Sequence, residues 1–470
     1  MYNNNSYSIL STTYTANDII AIAFDGTTIK YYKNNVHVSD ANQTVGSGHE
    51  YVLSVTTHSD DSCIVNFGQD SSFAGNKTAQ GNSDANGIGD FYYAPPSGFL
   101  ALCTSNLEEP TIGPNSDTQA TDYFKPVIYN GLNNTAQDIT VGFKPDWVWI
   151  KTRNANISHM SFDSSRLATK WMQIDNAGTE NTGSDSLTDF DVSGGGFSLG
   201  ADTSTTAVNN NGKTYAAWNW KANGGTTTTN DASSTNVGDR DSVIQANTTA
   251  GFSIVLYTGS GQTGAGNDDT YAHGLGVVPE VIICKNRDVG NAWLFGMTAI
   301  PSFNWADDYM HLQDTIAHQT NADRSAFSVT PTDEVFSVGE FLNKANNYVA
   351  YLFASVEGYS KFGSYTGNGV DDNGTFVHTG FRPAFIITKC SSHGSTNWFL
   401  HDEVRNPINP ANINMHPNLS NQEGDVTTTH HIDILASGFK PKGTGAEING
   451  SGRTYIYMAF GNSFKYANAR

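Results

Sequence analysis

Little in this sequence is charged, and less of it is positive. Charged residues are 15% of 470, with 45 acidic against 25 basic and a net charge of −20. A surface of that sign repels a phosphate backbone, which argues against nucleic-acid partners. The 4 cysteines form no CxxC pair and no metal spacing. Cys63, Cys284 and Cys390 fall in or beside apolar strand patterns and read as buried, inert thiols, in keeping with assembly in a reducing cytoplasm. No apolar run approaches the length of a membrane span. The opening MYNNNSYSIL has neither the basic nor the apolar region of a signal peptide. There is no GxSxG elbow, no P-loop and no dinucleotide fingerprint. Among 45 acids no glycoside-cleaving carboxylate pair stands out. The chain therefore does not read as an enzyme. Long helices are disfavoured as well, because Asn, Ser and Thr compete for backbone hydrogen bonds and Gly costs entropy.

What is present is a sentence written three times. It begins with a tyrosine before a glycine turn: YNG at Tyr129, YTG at Tyr257, YTG at Tyr365. An apolar strand follows a proline, in GFKPDWVWIKTR, GLGVVPEVIICKNR and GFRPAFIITKC. The unit closes on an aromatic strand, in NNGKTYAAWNW, NKANNYVAYLF and GSGRTYIYMAF. Pro145, Pro279 and Pro383 set a period of roughly 105 to 135 residues, the size of one small domain. The expected architecture is all-β: a module over 1–110, β-sandwich repeats over 119–222, 242–356 and 357–470, and an extended, flexible linker over 223–241, where NGGTTTTNDASSTNVGD offers no core residue. The junction at LFASVEGYSKFGSYTG leaves only a few residues, so the second and third repeats should pack rigidly.

Ahead of the repeats, an apolar strand from Asp18 to Asp25, a turn at Asp25-Gly26 and an alternating strand to Tyr32 predict a hairpin, followed by a second turn at Asn34-Asn35. YVLSVTTHS and SCIVNFGQ read as two more strands.

Within each repeat the middle varies most: Asn154–Gly194, Asp288–Asp333 and Ser391–Ala436. On a sandwich frame such inserts are expected to project from one end as binding loops. Trp171, Trp305, Tyr309 and Trp398, in or near them, are the candidate contacts to a glycan or protein surface. Trp147 and Trp149, and again Trp218 and Trp220, share one face of a strand whose other face is also apolar, which predicts core rather than a sugar platform. The recurring Lys151, Lys285 and Lys389 read as strand-end residues whose stems cover a sheet edge. VDDNGT places Asp371, Asp372 and Asn373 in an oxygen-rich turn that could hold calcium, without the distal glutamate of a full loop; no other cofactor is implied. His416, His430 and His431 lack a helical metal spacing.

Two resemblances follow. DIIAIAFDGTTIKYYKNN is similar to the second half of the SPRY-type lectin-like sandwich, and VNFGQ and APPSGFLALCTSNLEEPTI resemble the segment that joins such a module to later domains in phage tail-fibre proteins. The strands that should precede that half are absent, so the chain is cut, another chain supplies them, or this version is degenerate. The stretches Gly142–Arg153, Gly196–Gly225, Ala250–Gly261, His273–Arg287 and Phe464–Arg470 resemble modules of marine phage structural proteins. The resemblance implies a virion protein assembled in the host cytoplasm, of tail-fibre or receptor-binding type. Its implied partners are a host cell-surface glycan or protein and other virion proteins. A homo-oligomer, with a trimer as the common fibre form, is implied too. A capsid-bound fibre or decoration protein and a surface-polysaccharide depolymerase are the alternatives.

Overall fold

The computed structural model describes residues 2–3, 6–7, 13–45, 62–106, 111–113, 117–132, 135–202, 206–262, 268–321, 326–425 and 429–461. YVLSVTTHS and Phe464–Arg470 lie outside them. The protein is all-β, built from separate antiparallel sheets. No helix among the described residues is long and apolar enough to cross a membrane. The chain divides into two compact units, Met1–Glu108 and Glu109–Arg470.

In the first unit, Ile20–Phe24 pairs with Thr28–Lys33, and that strand also pairs with Val36–His37 and Gln43–Thr44. Gly26 sits at φ 90°, and Asn34 and Asn35 at 46° and 68°, the left-handed conformations that Gly and Asn tolerate best. This is the hairpin the sequence predicts. The strand expected at SCIVNFGQ does not form over its described part; instead the Asn66 side chain accepts from the backbone of Gly68, Gln69 and Asp70 and makes a turn. Cys63 is exposed, against expectation, because no sheet forms there to bury it. Asp84 plays a similar part, accepting from Asn86, Ile88, Ala101 and Asn106. Among the described residues of this unit only Ala23, Ala41 and Ala101 are buried apolar side chains, while Ile20, Ile22 and Phe24 stand exposed on one face of their strand.

The second unit holds the three repeats, and each has the same two-sheet plan. An opening strand (Phe124–Asn130, Phe252–Thr258, Ser360–Thr366) pairs with a closing strand (Thr214–Trp220, Asn347–Phe353, Thr454–Gly461). The closing strand pairs with the strand that follows the proline marker (Trp147–Thr152, Val281–Asn286, Pro383–Cys390), here called the marker strand. A hairpin strand extends the sheet beyond it: Met160–Asp163, Leu294–Met297 and Trp398–Asp402. A smaller sheet, built on Gly196–Leu199, Val335–Val338 or Gly438–Pro441, covers the outer face.

Register explains the recurring tyrosine. Tyr129, Tyr257 and Tyr365 lie opposite Tyr215, Tyr348 and Tyr455 and stack on them at 4.9, 5.0 and 5.0 Å. The next turn passes so close to its neighbour that a Cβ on Gly131 or Gly259 would lie 2.1 Å from a carbonyl oxygen. Only glycine fits there.

Period-two alternation then gives each main sheet two buried faces. Val148 and Ile150, Ile282 and Cys284, and Ile386 and Cys390 point to three cores, one inside each repeat. Trp147 and Trp149, Val281 and Ile283, and Phe385 and Ile387 point the other way, into a fourth cluster that all three repeats share. Trp147, Trp149, Trp218 and Trp220 are core residues, and their core is communal. The repeats form one body.

The linker expected over 223–241 is instead ordered. Thr228–Asn230 pairs with Ser242–Asn247, which extends the second repeat's main sheet through Phe252–Thr258. Asp231 caps a single helical turn, Ala232–Thr235, that ends on left-handed Asn236. The threonines that looked like filler are edge-strand residues, and the small polar residues are caps.

Candidate functional site: three seams around a shared core

The closing strands of successive repeats converge on the axis of the second unit. Trp147 stacks on Tyr351 at 4.5 Å, Phe124 on Phe460 at 5.2 Å, and Phe353 meets Phe460 at 5.8 Å. Around this cluster each repeat meets the next along a buried seam, and pairing register puts equivalent residues at equivalent places in all three.

One equivalent set lies two residues beyond the recurring lysine. The backbone carbonyl there accepts from the insert of the neighbouring repeat: Arg287 from Glu180, Ser391 from His318, and Arg153 from Glu423, at 2.9, 3.0 and 2.9 Å. Two of these positions carry an arginine that also pairs with the donor's carboxylate. Arg287 Nε lies 2.8 Å from Glu180, and Arg153 Nε lies 2.9 Å from Glu423.

A second set lies four residues before the end of the hairpin strand. Trp293 Nε1 donates to the Gln173 carbonyl at 2.8 Å and Trp398 Nε1 to the His311 carbonyl at 3.0 Å. His159 stands at this position in the first repeat. It faces the backbone of His416, the equivalent of Gln173 and His311. Beside these sit three equivalent buried methionines, Met172, Met310 and Met415.

The third set is the most informative. Asp163 and Arg166 form a buried ion pair, as do Asp402 and Arg405, at 2.6 Å in the second case. The second repeat has Met297 and Ile300 at the matching positions, both buried. The partner across the seam changes with them. Tyr351 donates its hydroxyl to Asp163 at 2.6 Å, and Trp218 donates its indole to Asp402 at 3.0 Å. Met458 is the equivalent residue in the third repeat, and it shares the common core with Met297 and Ile300. A lone buried charge costs several kcal/mol, so both members of the pair and the donor across the seam must change together.

The three lysines do not cover a sheet edge. Lys151, Lys285 and Lys389 are fully buried on the shared face. Lys151 Nζ donates to the Thr152 carbonyl at 2.7 Å, Lys285 to those of Ala177 and Asn291 at 3.1 and 2.8 Å, and Lys389 to Cys390 and Thr396 at 2.9 and 2.8 Å. Burial pushes each ammonium down to about 8.

This geometry gives each insert a role the sequence does not predict, because part of each packs against the neighbouring repeat. The first insert meets the second repeat, the second meets the third, and the third returns to the first. Of the aromatic candidates, Trp171 belongs to the first repeat's own core and Trp305 to the second's, against Phe327 at 5.1 Å. Trp398 is buried in the shared core. All three are buried. Tyr309 is half-buried against Phe341. Two of the three residues proposed for calcium already meet a lysine: Lys442 reaches Asp372 at 2.6 Å and Lys440 reaches Asn373 at 2.6 Å. Among the described residues no group of three or more His, Cys, Asp or Glu could hold a metal. Cys284 and Cys390 are buried, as the pattern predicts.

A further pair of positions ties the repeats end to end. Asp146, just after the first marker proline, accepts from the amides of Ala222 and Gly224 at 2.7 and 2.8 Å, where the chain leaves the first repeat. Glu280, after the second, accepts from Ser355 at 2.8 Å, where it leaves the second. Ala384 follows the third marker.

The profile of a family described as Domain of unknown function (DUF7483) matches residues 119–463. The chain belongs to that family. No curated protein and no solved structure matches it. The DUF7483 match spans all three repeats, and so coincides with the seamed body rather than with a single sandwich. Within the DUF7483 region an open cleft of about 410 Å³ lies where the first repeat passes into the second, lined by Tyr123, Lys221, Asn223 and Asn247 among others.

Proposed function

We propose that this chain is a phage virion structural protein of tail-fibre or receptor-binding type, which carries a rigid platform toward a host cell surface. The observation that carries the reading is the closed set of seams: three unlike copies of one sandwich joined around an aromatic core. A body of that kind fixes its exposed turns in space, so many weak contacts can act together, multiplied by copies on a particle. Low charge, abundant turn residues and the likeness of the repeat frames to marine phage structural modules support it.

The contact surface we infer lies away from the seams. The chain passes between repeats at one end of the main sheets, through 221–241 and 354–359. At the other end lie the glycine- and asparagine-rich turns that follow Tyr129, Tyr257 and Tyr365 and those that precede the closing strands. Partners there would be host glycans or proteins recognised through hydrogen bonds.

The experiment is immunogold labelling of phage particles that carry this protein, together with competition of phage attachment by the purified chain. Label on tail tips and reduced attachment are expected. Label on the head shell would move the reading to a capsid decoration protein, and particles without label would end it.

A further inference from the structure

We propose that the seam between the third and first repeats is a clasp that releases in acid and opens the ring while the other two seams hold. The proposal starts from a break in the threefold pattern. Where the other seams place Trp293 and Trp398, this one places His159; where the first repeat offers the Gln173 carbonyl, this one offers that of His416.

The hydrogen bonding of His159 decides what a proton would do. Trp149 Nε1 donates to His159 Nδ1 at 2.9 Å, so Nδ1 is the acceptor and the ring proton sits on Nε2. A second proton must go to Nδ1. It would set two N–H donors against each other inside the shared core, where Trp149 has nowhere to turn.

The surroundings make a cation worse. His159 is completely buried, and burial holds its imidazole well below the ordinary value, with the Lys151 ammonium adding to the effect. From the third repeat the His416 backbone favours the cation by hydrogen bonding, while the Arg405 charge opposes it. His416 is itself lowered by burial, donates from Nδ1 to the Trp398 carbonyl at 3.0 Å, and packs beside Phe399 and near His430 and Glu447. His401, on the hairpin strand that carries Asp402, is pushed by burial to about 3. The acids of the seam are already engaged. Asp402 pairs with Arg405 and accepts from Trp218, and Glu423 pairs with Arg153. Asp175 accepts from the His159 backbone amide, and burial raises its pKa. The other two seams contain no completely buried histidine at this position.

The sign follows from linkage. A histidine with a depressed folded pKa binds its proton more readily once released. The seam is at full strength above about pH 6.5, the ordinary histidine value, and weakens as pH falls below it.

The test is hydrogen exchange of the full chain at pH 7.5 and pH 5.0, corrected for intrinsic rates. Amides of 159–163 and 411–423 should open at least about tenfold more readily at the lower pH, the ratio that one unit of pKa difference supplies. Amides of 177–180 and 308–318, at the other seams, should change much less. The variant His159→Trp, which writes the other seams' residue into this one, should flatten the response. If that variant fails to fold, Trp149→Phe removes the opposing donor and should weaken the response instead. Equal acceleration at all three seams, or an unchanged response in a folded variant, would overturn the proposal.

Discussion

Trp218 donates its indole hydrogen to Asp402, 3.0 Å away and 184 residues later in the chain. The residue one repeat on from Trp218 is Tyr351, and it makes the matching bond to Asp163 at 2.6 Å. The two contacts are one contact used twice, and the third seam replaces every member of it with an apolar side chain.

That substitution pattern predicts a rescue. Asp402→Ala should cost about 3–5 kcal/mol, because it leaves Arg405 buried without its partner. The double variant Asp402→Met with Arg405→Ile, which copies Met297 and Ile300, should be more stable than the single one. Chemical denaturation midpoints decide it, and a double variant as weak as the single would show that the seams are not equivalent.

Removing only the cross-seam donor should be milder. Tyr351→Phe takes away one hydrogen bond to a charged acceptor, worth about 1.5–3 kcal/mol. Met458→Leu, at the apolar seam, should cost less than about 1.5 kcal/mol. Urea titrations of the two variants give the comparison directly.

The buried lysines predict a pH dependence of the same sign as acid release, in a higher window. Their folded pKa values, lowered to about 8 by burial, lie below the unfolded value near 10.5. Between pH 8 and about 10 the unfolded chain therefore binds more protons, and stability should rise with pH. Lys389→Met should make that rise shallower, as read from denaturation midpoints across the window. An identical slope in the variant would show that Lys389 is not buried as an ammonium.

Much of the frame was legible from single-sequence pattern. Tyrosine before glycine, apolar strand after proline and aromatic closing strand gave the repeat, and alternation at Trp147 and Trp149 gave a strand buried on both faces. The alternation could not say what covered the second face. A sandwich core and a seam between sandwiches both present apolar residues at period two. The seam residues were hidden for a further reason. Arg153 and Glu423 are 270 positions apart, and nothing local links them. Trp171 and Trp398 misled because a tryptophan in a variable segment looks like a contact, whereas these segments vary because each fits a different neighbour. The threonines of 226–229 misled in the same way, since a short edge strand carries few core residues of its own.

Asp146 offers a test of how the first repeat is tied to the second. Asp146→Ala would leave the amides of Ala222 and Gly224 without their acceptor, a loss of about 1–3 kcal/mol for each buried group left unpaired. Limited proteolysis should then cut within 223–241 faster than in the parent chain. Unchanged cutting would mean that pairing of Thr228–Asn230 with Ser242–Asn247 holds the segment unaided.

The residue after each marker proline works as punctuation. Asp146 and Glu280 stand where the chain passes into the next copy, and Ala384 holds the same position in the third. Each acid receives amides from the chain on its way to the next copy, so it makes sense only in its own place. Shuffling the copies would strand a carboxylate in one position and leave amides unanswered in another. Their sequence order is thereby written into the chemistry of single sites.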